Sequence, residues 1–258
     1  MADGESKVSA TSGAFLSSGG GEARELAPGV EVRAYVSAEL GATELTSGTA
    51  TLQPGTGLPY HTHPTSELII LVAGQADISV EGRRYSLQPC DAIYIPAEVA
   101  HAAQNESEQA AVLHTVFPTG TPDREFVDDT FDVLDCTESA EEQPESLVVF
   151  EQAPVFDLGG AGDVCKLTTG LTSEQEVVAQ MVGIAPGASL DLPSENCDQS
   201  VTLVGGHVVC EAGESRFELT GFCDTVCVRA GQPQRLENSQ STRAAVIISA
   251  SNRPLETG

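Results

Sequence analysis

The sequence has few basic residues, no tryptophan and no long apolar run. Acidic residues number 38 against 12 basic ones, for a formal net charge of −26 at pH 7, and the two lysines are Lys7 and Lys166. Because phosphate groups are recognised by clustered Lys and Arg, this charge argues against nucleic acid and against an anionic membrane surface as partners. No segment is apolar over the length of a membrane-spanning helix, and the first residues lack the pattern of a signal peptide. We therefore expect a cytoplasmic protein.

The cysteines support this compartment. There are seven, an odd number, and they contain no Cys-x-x-Cys pair. Such usage favours a reducing compartment over a secreted, disulfide-linked protein. The closest two, Cys223 and Cys227, are four residues apart and therefore share one face of a strand, where we expect them to pack as small hydrophobic residues.

Side chains that bind metals are concentrated between residues 55 and 105. His61 and His63 alternate and therefore project to the same face of a strand. Glu67 follows across a short bend and begins a strand, because Leu68-Ile-Ile-Leu-Val72 is an apolar run typical of strands buried on both faces. A carboxylate at the start of a buried strand needs a cationic partner.

His101 is the fourth candidate ligand. It lies after a second predicted strand, residues 91–95, which Pro96 ends. Three imidazoles and one carboxylate suit Fe, Mn, Ni, Zn or Cu(II). Four protein ligands on an ion that accepts five or six leave positions open for water, substrate or dioxygen. We therefore predict one divalent transition metal bound by His61, His63, Glu67 and His101.

The spacing of these residues resembles the two sequence motifs of the cupin family. The first motif is Gly, five residues, His-x-His, three or four residues, Glu, six residues and Gly, and the chain matches every position from Gly55 to Gly74. The second is Gly, five residues, Pro-x-Gly, two residues, His, three residues and Asn. The chain follows it up to Asn105, with Cys90 and Glu98 in place of the two glycines. The resemblance implies a cupin β-barrel that holds a metal.

A weak internal repeat indicates two such barrels. Pro54-Gly55 is echoed by Pro186-Gly187, and Cys90-Asp91 by Cys223-Asp224, at a nearly constant shift of about 130 residues. The chain, at 258 residues, is long enough for two barrels that each bury a core. We predict an all-β bicupin, with two tandem cupin barrels of the double-stranded β-helix or jelly-roll type joined by an acidic linker.

The second copy lacks metal ligands. Through the repeat, His61, His63, Glu67 and His101 correspond in order to Pro193, Glu195, Gln199 and Gln234. One carboxylate flanked by amides binds a transition metal poorly. We interpret the second barrel as structural, with a retained small-molecule pocket as the alternative.

These features divide the chain into four parts. Residues 1–25, rich in Gly, Ser and Ala, are predicted to form a flexible arm or, late in that stretch, an early strand. Residues 26–118 are predicted to form the metal-binding barrel. Residues 119–162 are predicted to be an acidic inter-barrel segment with at most one short helix, and residues 163–258 the barrel without metal ligands.

Other chemically active side chains have less support. His114 lies in a predicted strand close to His101 and is either an acid or base in the pocket or a buried wall residue. Tyr60 and Tyr94 have the wrong parity for the ligand face unless a bulge turns them inward. Arg83 and Arg84 follow a hairpin turn and should face solvent, so the sequence predicts no cationic clamp for a strongly anionic substrate.

Function is less constrained than fold, because cupins with this site include dioxygenases, decarboxylases, isomerases, hydrolases and binding proteins. An apolar wall from Ile69, Leu71, Ile93 and Ile95 favours a mononuclear metal-dependent enzyme, a dioxygenase above all, acting on a small organic substrate. The alternatives are a metal-dependent hydrolase resembling ureidoglycine aminohydrolase, a family whose metal lies in the C-terminal barrel, and a non-enzymatic module that binds a small molecule. Cupin barrels often pair through sheet edges, so a homodimer is a reasonable expectation.

Overall fold

The structure is a computed structural model that describes residues 7–10, 13–140, 142–168 and 176–251. Within these ranges it consists of 25 strands, numbered β1 to β25 in chain order, and one 3-10 helix, Phe150–Gln152. This confirms the predicted all-β, jelly-roll fold class. No helix in the described part of the chain is long and apolar enough to cross a membrane.

Two facing sheets are formed by the residues around the cupin-like motifs, and we call them the first sheet pair. The seven-stranded sheet runs, in spatial order, β15 (Ser146–Val148), β10 (Ala92–Ile95), β7 (Glu67–Ala73), β12 (Ala111–Phe117), β5 (Thr46–Leu52), β4 (Val30–Val36) and β3 (Arg24–Ala27). The six-stranded sheet runs β13 (Glu125–Phe126), β6 (Thr56–Thr62), β11 (His101–Asn105), β8 (Ala76–Val80), β9 (Arg83–Leu87) and β14 (Leu134–Cys136). Val30, Leu52, Ile78 and Leu113 are part of the buried core between them.

A second sheet pair contains most of the C-terminal half. Its eight-stranded sheet runs β1 (Lys7–Ala10), β2 (Ala14–Ser18), β23 (Thr225–Val228), β20 (Gln199–Gly205), β25 (Ala244–Ser251), β18 (Val177–Ile184), β17 (Gly162–Lys166) and β16 (Val155–Asp157). Its four-stranded sheet runs β19 (Ser189–Leu192), β24 (Gln234–Glu237), β21 (Val208–Ala212) and β22 (Ser215–Leu219). A separate core, which includes Val182, Leu203 and Val246, lies between these two sheets.

A third apolar core joins the two sheet pairs. It combines Leu68, Ile70 and Val116 of the first pair with Met181 and Ile247 of the second. The apolar run that begins at Leu68 is therefore buried on both faces, as its composition predicts, because Ile69 and Leu71 belong to the first core. The two halves are held together by a hydrophobic interface.

The repeated Cys-Asp turns have the same local structure in both halves. Cys90 and Cys223 have φ angles of 78° and 65°, the left-handed region that usually favours glycine. The carboxylate of Asp91 accepts the backbone N–H of Gln88, and that of Asp224 accepts two backbone N–H groups of its own turn. The chain therefore makes this turn without the glycine of the cupin motif.

The repeated asparagines also make matching hydrogen bonds. Asn105 donates from Nδ2 to the carbonyl of Gln109 over 2.8 Å, and Asn238 donates to the carbonyl of Thr242 over 2.8 Å. Each asparagine is completely buried. The two copies therefore share a turn after β11 and β24, which supports the internal repeat found in the sequence.

Within the described part of residues 1–25, for which we predicted a flexible arm or an early strand, the chain forms β1 and β2 and begins β3. Strand β2 pairs with β23 of the eight-stranded sheet, and β1 pairs in turn with β2. Phe15 is buried in the core between the two sheet pairs. Burial of this apolar side chain favours docking of the segment, although the segment is rich in Gly and Ser.

The acidic segment predicted at residues 119–162 also differs from a simple linker. Three of its strands attach to the first sheet pair: β13 pairs with β6, β14 pairs in parallel with β9, and β15 pairs with β10. Glu145 is buried and accepts hydrogen bonds from Arg83 and from the hydroxyl of Tyr85. The helix anticipated there is the 3-10 helix, and β17 begins at Gly162, next to the predicted boundary.

Candidate metal centre

The structure brings the four predicted ligands together. The ligand atoms of His61, His63, Glu67 and His101 all lie within 4.8 Å of one another, and all four residues are buried. Among the described residues this is the one group of three or more His, Cys, Asp or Glu side chains that could hold a metal. The constellation read from the sequence is thus present as a compact cluster.

Strand register explains this convergence. His61 lies near the end of β6, and it pairs directly with His101, the first residue of β11. Glu67 is the first residue of β7, in the opposite sheet. His63 follows β6 by one residue, and its backbone carbonyl accepts the N–H of Glu98 over 2.8 Å. The site is therefore formed where strands of both sheets begin or end.

Each imidazole is oriented by a backbone carbonyl. The Nδ1 atoms of His61 and His101 lie 2.8 and 2.9 Å from the carbonyl oxygens of Pro59 and Val99. The Nδ1 atom of His63 contacts the carbonyl oxygen of Asp123. A carbonyl can only accept, so each Nδ1 carries a proton and each Nε2 is left as the metal-binding atom.

The centre of the cluster contains groups that need a cation. Nε2 of His101 lies 2.8 Å from Oε2 of Glu67, and Nε2 of His63 lies 3.3 Å from the same oxygen. Nε2 of His63 has no hydrogen-bond partner among the described residues although it is buried. Lone pairs of neutral imidazoles and a carboxylate converge here, which is the arrangement that a divalent metal satisfies. The residues present therefore fit a metal ion.

Two ligands have pKa values that suit metal binding. Burial, aided by the neighbouring His101, lowers the pKa of His61 to about 3, so its imidazole is neutral at pH 7. Burial opposes ionisation of Glu67, but its close contacts with His101 and His63 outweigh this effect and hold the pKa of the carboxyl well below its ordinary value. His61 is thus a neutral imidazole with a free lone pair on Nε2, and Glu67 is a carboxylate, which are the forms that coordination requires.

The structure adds a cation that the sequence analysis missed. Arg124 lines the pocket beside His61, Glu67 and His101. Its Nε atom is buried without a hydrogen-bond partner among the described residues, and burial lowers its pKa, although a guanidinium remains charged at neutral pH. No local pattern marks it, because Arg124 belongs to the acidic segment and reaches the pocket only through the pairing of β13 with β6.

The two arginines considered as a cationic clamp, Arg83 and Arg84, form ion pairs with other residues. Arg83 binds the buried Glu145, and Arg84 pairs with Asp135 over 2.7 Å. The prediction that neither arginine serves the pocket is in keeping with these contacts. The inference that the pocket has no cation was wrong, because Arg124 supplies one.

The pocket is small and mainly apolar. Its volume is about 40 Å³, and Ile69, Leu58 and Leu113 are among its wall residues. Leu71, Ile93 and Ile95, also predicted as wall residues, are instead part of the core behind it. Such a cavity admits a ligand of only a few heavy atoms beside the metal ligands.

The remaining candidates lie outside this pocket. His114 is fully buried on β12, where its neighbours Leu113 and Thr115 face the pocket and the intervening residue faces the other way. The hydroxyl of Tyr60 accepts a hydrogen bond from the N–H of Gly82 over 3.2 Å and is not directed at the metal ligands. Tyr94 belongs to the core between the sheet pairs. His114 is therefore a buried residue on the face of β12 that points away from the pocket.

Comparison with known proteins agrees with this fold. Residues 48–117 match the cupin domain family, over the part of the chain that holds all four ligands. A comparison with curated protein sequences found no significant match.

Solved structures similar to the chain cover both sheet pairs. Oxalate decarboxylase from Bacillus subtilis at pH 4.6 is 16% identical, with a TM-score of 0.73 over 94% of this chain and 77% of that one. The Lactobacillus farciminis oxalate decarboxylase formate complex is 15% identical, with a TM-score of 0.74 over 95% and 87%. AerE from Microcystis aeruginosa is 12% identical, with a TM-score of 0.69 over 91% and 98%. At these identities the likeness shows a shared cupin jelly-roll fold.

Proposed function

We propose that the chain is a mononuclear metal-dependent enzyme acting on a small organic carboxylate in the first sheet pair, with dioxygenase-type chemistry. The observation that carries this proposal is Arg124, a charged guanidinium that shares a pocket with the four candidate metal ligands. A divalent Fe, Mn, Ni, Zn or Cu ion held by His61, His63, Glu67 and His101 would supply Lewis acidity and, if redox-active, reactivity toward dioxygen.

The chain's own residues would bind and orient the substrate. A guanidinium pairs with a carboxylate through two parallel hydrogen bonds, which fixes the substrate in one orientation. The aliphatic wall of Ile69, Leu58 and Leu113 excludes water and strengthens that ion pair. The small volume of the pocket favours short carboxylates. The formate named in the Lactobacillus farciminis complex is a ligand of this kind.

The pocket lining favours oxygen chemistry over decarboxylation. Loss of CO₂ leaves a carbanion that must be protonated, and this requires an acid beside the substrate. Among the described residues that line the pocket, Glu67 has the one carboxyl group, and this group would coordinate the metal. A dioxygenase needs no such acid.

We propose that the second sheet pair is a second cupin barrel without a metal, so that the chain is a bicupin with boundaries near those read from the sequence. A hydrolase resembling ureidoglycine aminohydrolase is less favoured, because here the ligand cluster lies in the first sheet pair. A cytoplasmic location and a homodimer also remain proposals.

The test is turnover of the metal-loaded protein with short carboxylates such as formate, glycolate, oxalate and pyruvate, with oxygen uptake and CO₂ release measured together. We expect oxygen uptake with at least one of them, and Arg124→Gln should raise KM at least tenfold, on the order of the 1.5–3 kcal/mol of a charge-assisted hydrogen bond. The matched control is Arg84→Gln, which removes a surface ion pair. CO₂ release without oxygen uptake would indicate a decarboxylase, and binding without turnover a non-enzymatic module.

A further inference from the structure

The second sheet pair contains a larger cavity than the first, at the corresponding place in the repeat. Its volume is about 330 Å³, against about 40 Å³ for the pocket beside the metal ligands. Glu195 and Gln199, which correspond to His63 and Glu67, are among its lining residues. The second sheet pair therefore contains a cavity beside two of the positions that correspond to metal ligands.

An amide pair replaces the carboxylate–imidazole pair of the first site. In the first site Glu67 contacts His101, and in the second Nε2 of Gln234 donates to Oε1 of Gln199. Gln234 is buried, and its own Oε1 has no hydrogen-bond partner among the described residues. Amides are weak ligands for transition metals but good hydrogen-bonding partners for an organic molecule.

Two opposite charges line the same cavity. Lys166 at the end of β17 supplies an ammonium group, and Glu195 in the loop before β20 supplies a carboxylate. Neither side chain makes an ion pair with another described residue. The backbone of Glu195 is held in place, because its carbonyl accepts the N–H of Gly231 over 2.7 Å. The cavity therefore presents a separated positive and negative charge to whatever enters it.

The remaining wall is partly apolar. Val178 of β18 and Ile248 and Ala250 of β25 are among the residues that line the cavity. A volume of about 330 Å³ lies in the range of small-molecule sites, roughly 300–1,000 Å³. The complementary ligand carries an ammonium, a carboxylate and an apolar portion.

We propose that this cavity is a metal-independent binding site for a free amino acid. The α-carboxylate pairs with Lys166, the α-ammonium pairs with Glu195, and the side chain packs against Val178 and Ile248. Gln199 donates from its own amide nitrogen to the bound molecule while Gln234 holds it in place. This site is independent of the metal site and of the activity proposed for it.

Thermal unfolding of the full-length chain with each of the standard amino acids, at about 10 mM, tests the proposal. At least one should raise Tm by about 3 °C, as expected for a site near nine-tenths saturation. For that amino acid, the matched carboxylic acid without the amine and the matched amine without the carboxylate should give less than half the shift. The His61→Ala/His63→Ala variant should keep the shift, which separates this site from the metal site.

Titration calorimetry of charge-removing variants then locates the ligand. Lys166→Met and Glu195→Gln should each weaken binding of the amino acid at least tenfold, while Glu214→Gln, an exposed residue of the β21–β22 turn, should bind as the parent does. Lys166 and Glu195 are exposed, so Tm without ligand should stay within a degree or two of the parent's. The proposal is overturned if no amino acid shifts Tm, if the matched acid or amine binds equally well, or if both variants bind as the parent does.

Discussion

Among individual residues, the protonation of the three imidazoles decides whether the cluster can hold a metal. The carbonyls of Pro59, Val99 and Asp123 each accept a hydrogen bond from an Nδ1–H group, so all three Nε2 atoms are available. The sequence predicted this cluster because strand parity and motif spacing are local properties. It did not predict Arg124, because that residue reaches the pocket through a pairing between distant segments.

Glu98 offers a test of backbone strain beside the cluster. Its φ of 64° lies in the left-handed region, which costs a non-glycine residue about 1–2 kcal/mol, and its side chain is exposed. Glu98→Gly should therefore raise the free energy of unfolding by about 0.5–1 kcal/mol after the added freedom of the unfolded chain is subtracted. Urea unfolding measures the change. Glu98→Ala keeps the strain and should show no gain, and an equal gain in both variants would contradict this account.

Because His114 is buried, we expect the free energy of unfolding to fall in acid. Burial lowers the pKa of His114 to about 4, against an unfolded value of about 6.5. As the pH falls from 6.5 toward 4, the unfolded chain gains a proton that the folded chain does not, so stability is lost. The His114→Leu variant should lose about 2–3 kcal/mol less than the parent between pH 7 and pH 4.5, measured by urea unfolding. Equal losses in the two proteins would show that His114 does not titrate in this way.

The strands themselves were largely predictable, whereas the acidic segment was not. The apolar run beginning at Leu68 indicated a doubly buried strand, and the structure places its two faces in two different cores. A run of carboxylates ordinarily marks a solvated linker, yet here the segment adds β13, β14 and β15 to the edges of the first sheet pair. Its attachment depends on specific contacts, such as the ion pair between Arg83 and the buried Glu145, which composition does not reveal.

We expect Glu145 to hold the acidic segment against the first sheet pair. This carboxylate is buried, receives hydrogen bonds of 2.6 and 2.9 Å from Arg83, and receives another of 2.6 Å from Tyr85. Glu145→Gln removes the charge that compensates Arg83 and should lower the free energy of unfolding by about 2–4 kcal/mol. Because the same segment supplies Arg124 and the carbonyl of Asp123, the variant should also lose metal more readily to a chelator.

Urea unfolding and metal release by chelator measure both effects. Glu142→Gln is the matched control, since Glu142 is an exposed acid of the same segment. The control should behave as the parent does. If the two variants cannot be distinguished, Glu145 does not fasten the segment to the first sheet pair.

The whole molecule combines two sheet pairs, and the cluster of four candidate metal ligands lies in the first of them. The internal repeat in the sequence is matched by the Cys-Asp turns at residues 90 and 223 and by the buried asparagines at 105 and 238. The residues that correspond to the four ligands, Pro193, Glu195, Gln199 and Gln234, are read from the sequence through the repeat. The size of the second cavity was not predictable, since it depends on how β18 and β25 pack around the replaced side chains.

The metal content of the purified protein depends directly on the four candidate ligands. Elemental analysis of the protein purified without added metal should find about one equivalent of Fe, Mn, Ni, Zn or Cu per chain. The His61→Ala/His63→Ala variant should contain none, while a Gln199→Ala/Gln234→Ala variant, altered at the corresponding place in the second sheet pair, should keep the full amount. Equal metal in the parent and in the histidine variant, or none in the parent after reconstitution, would contradict the account.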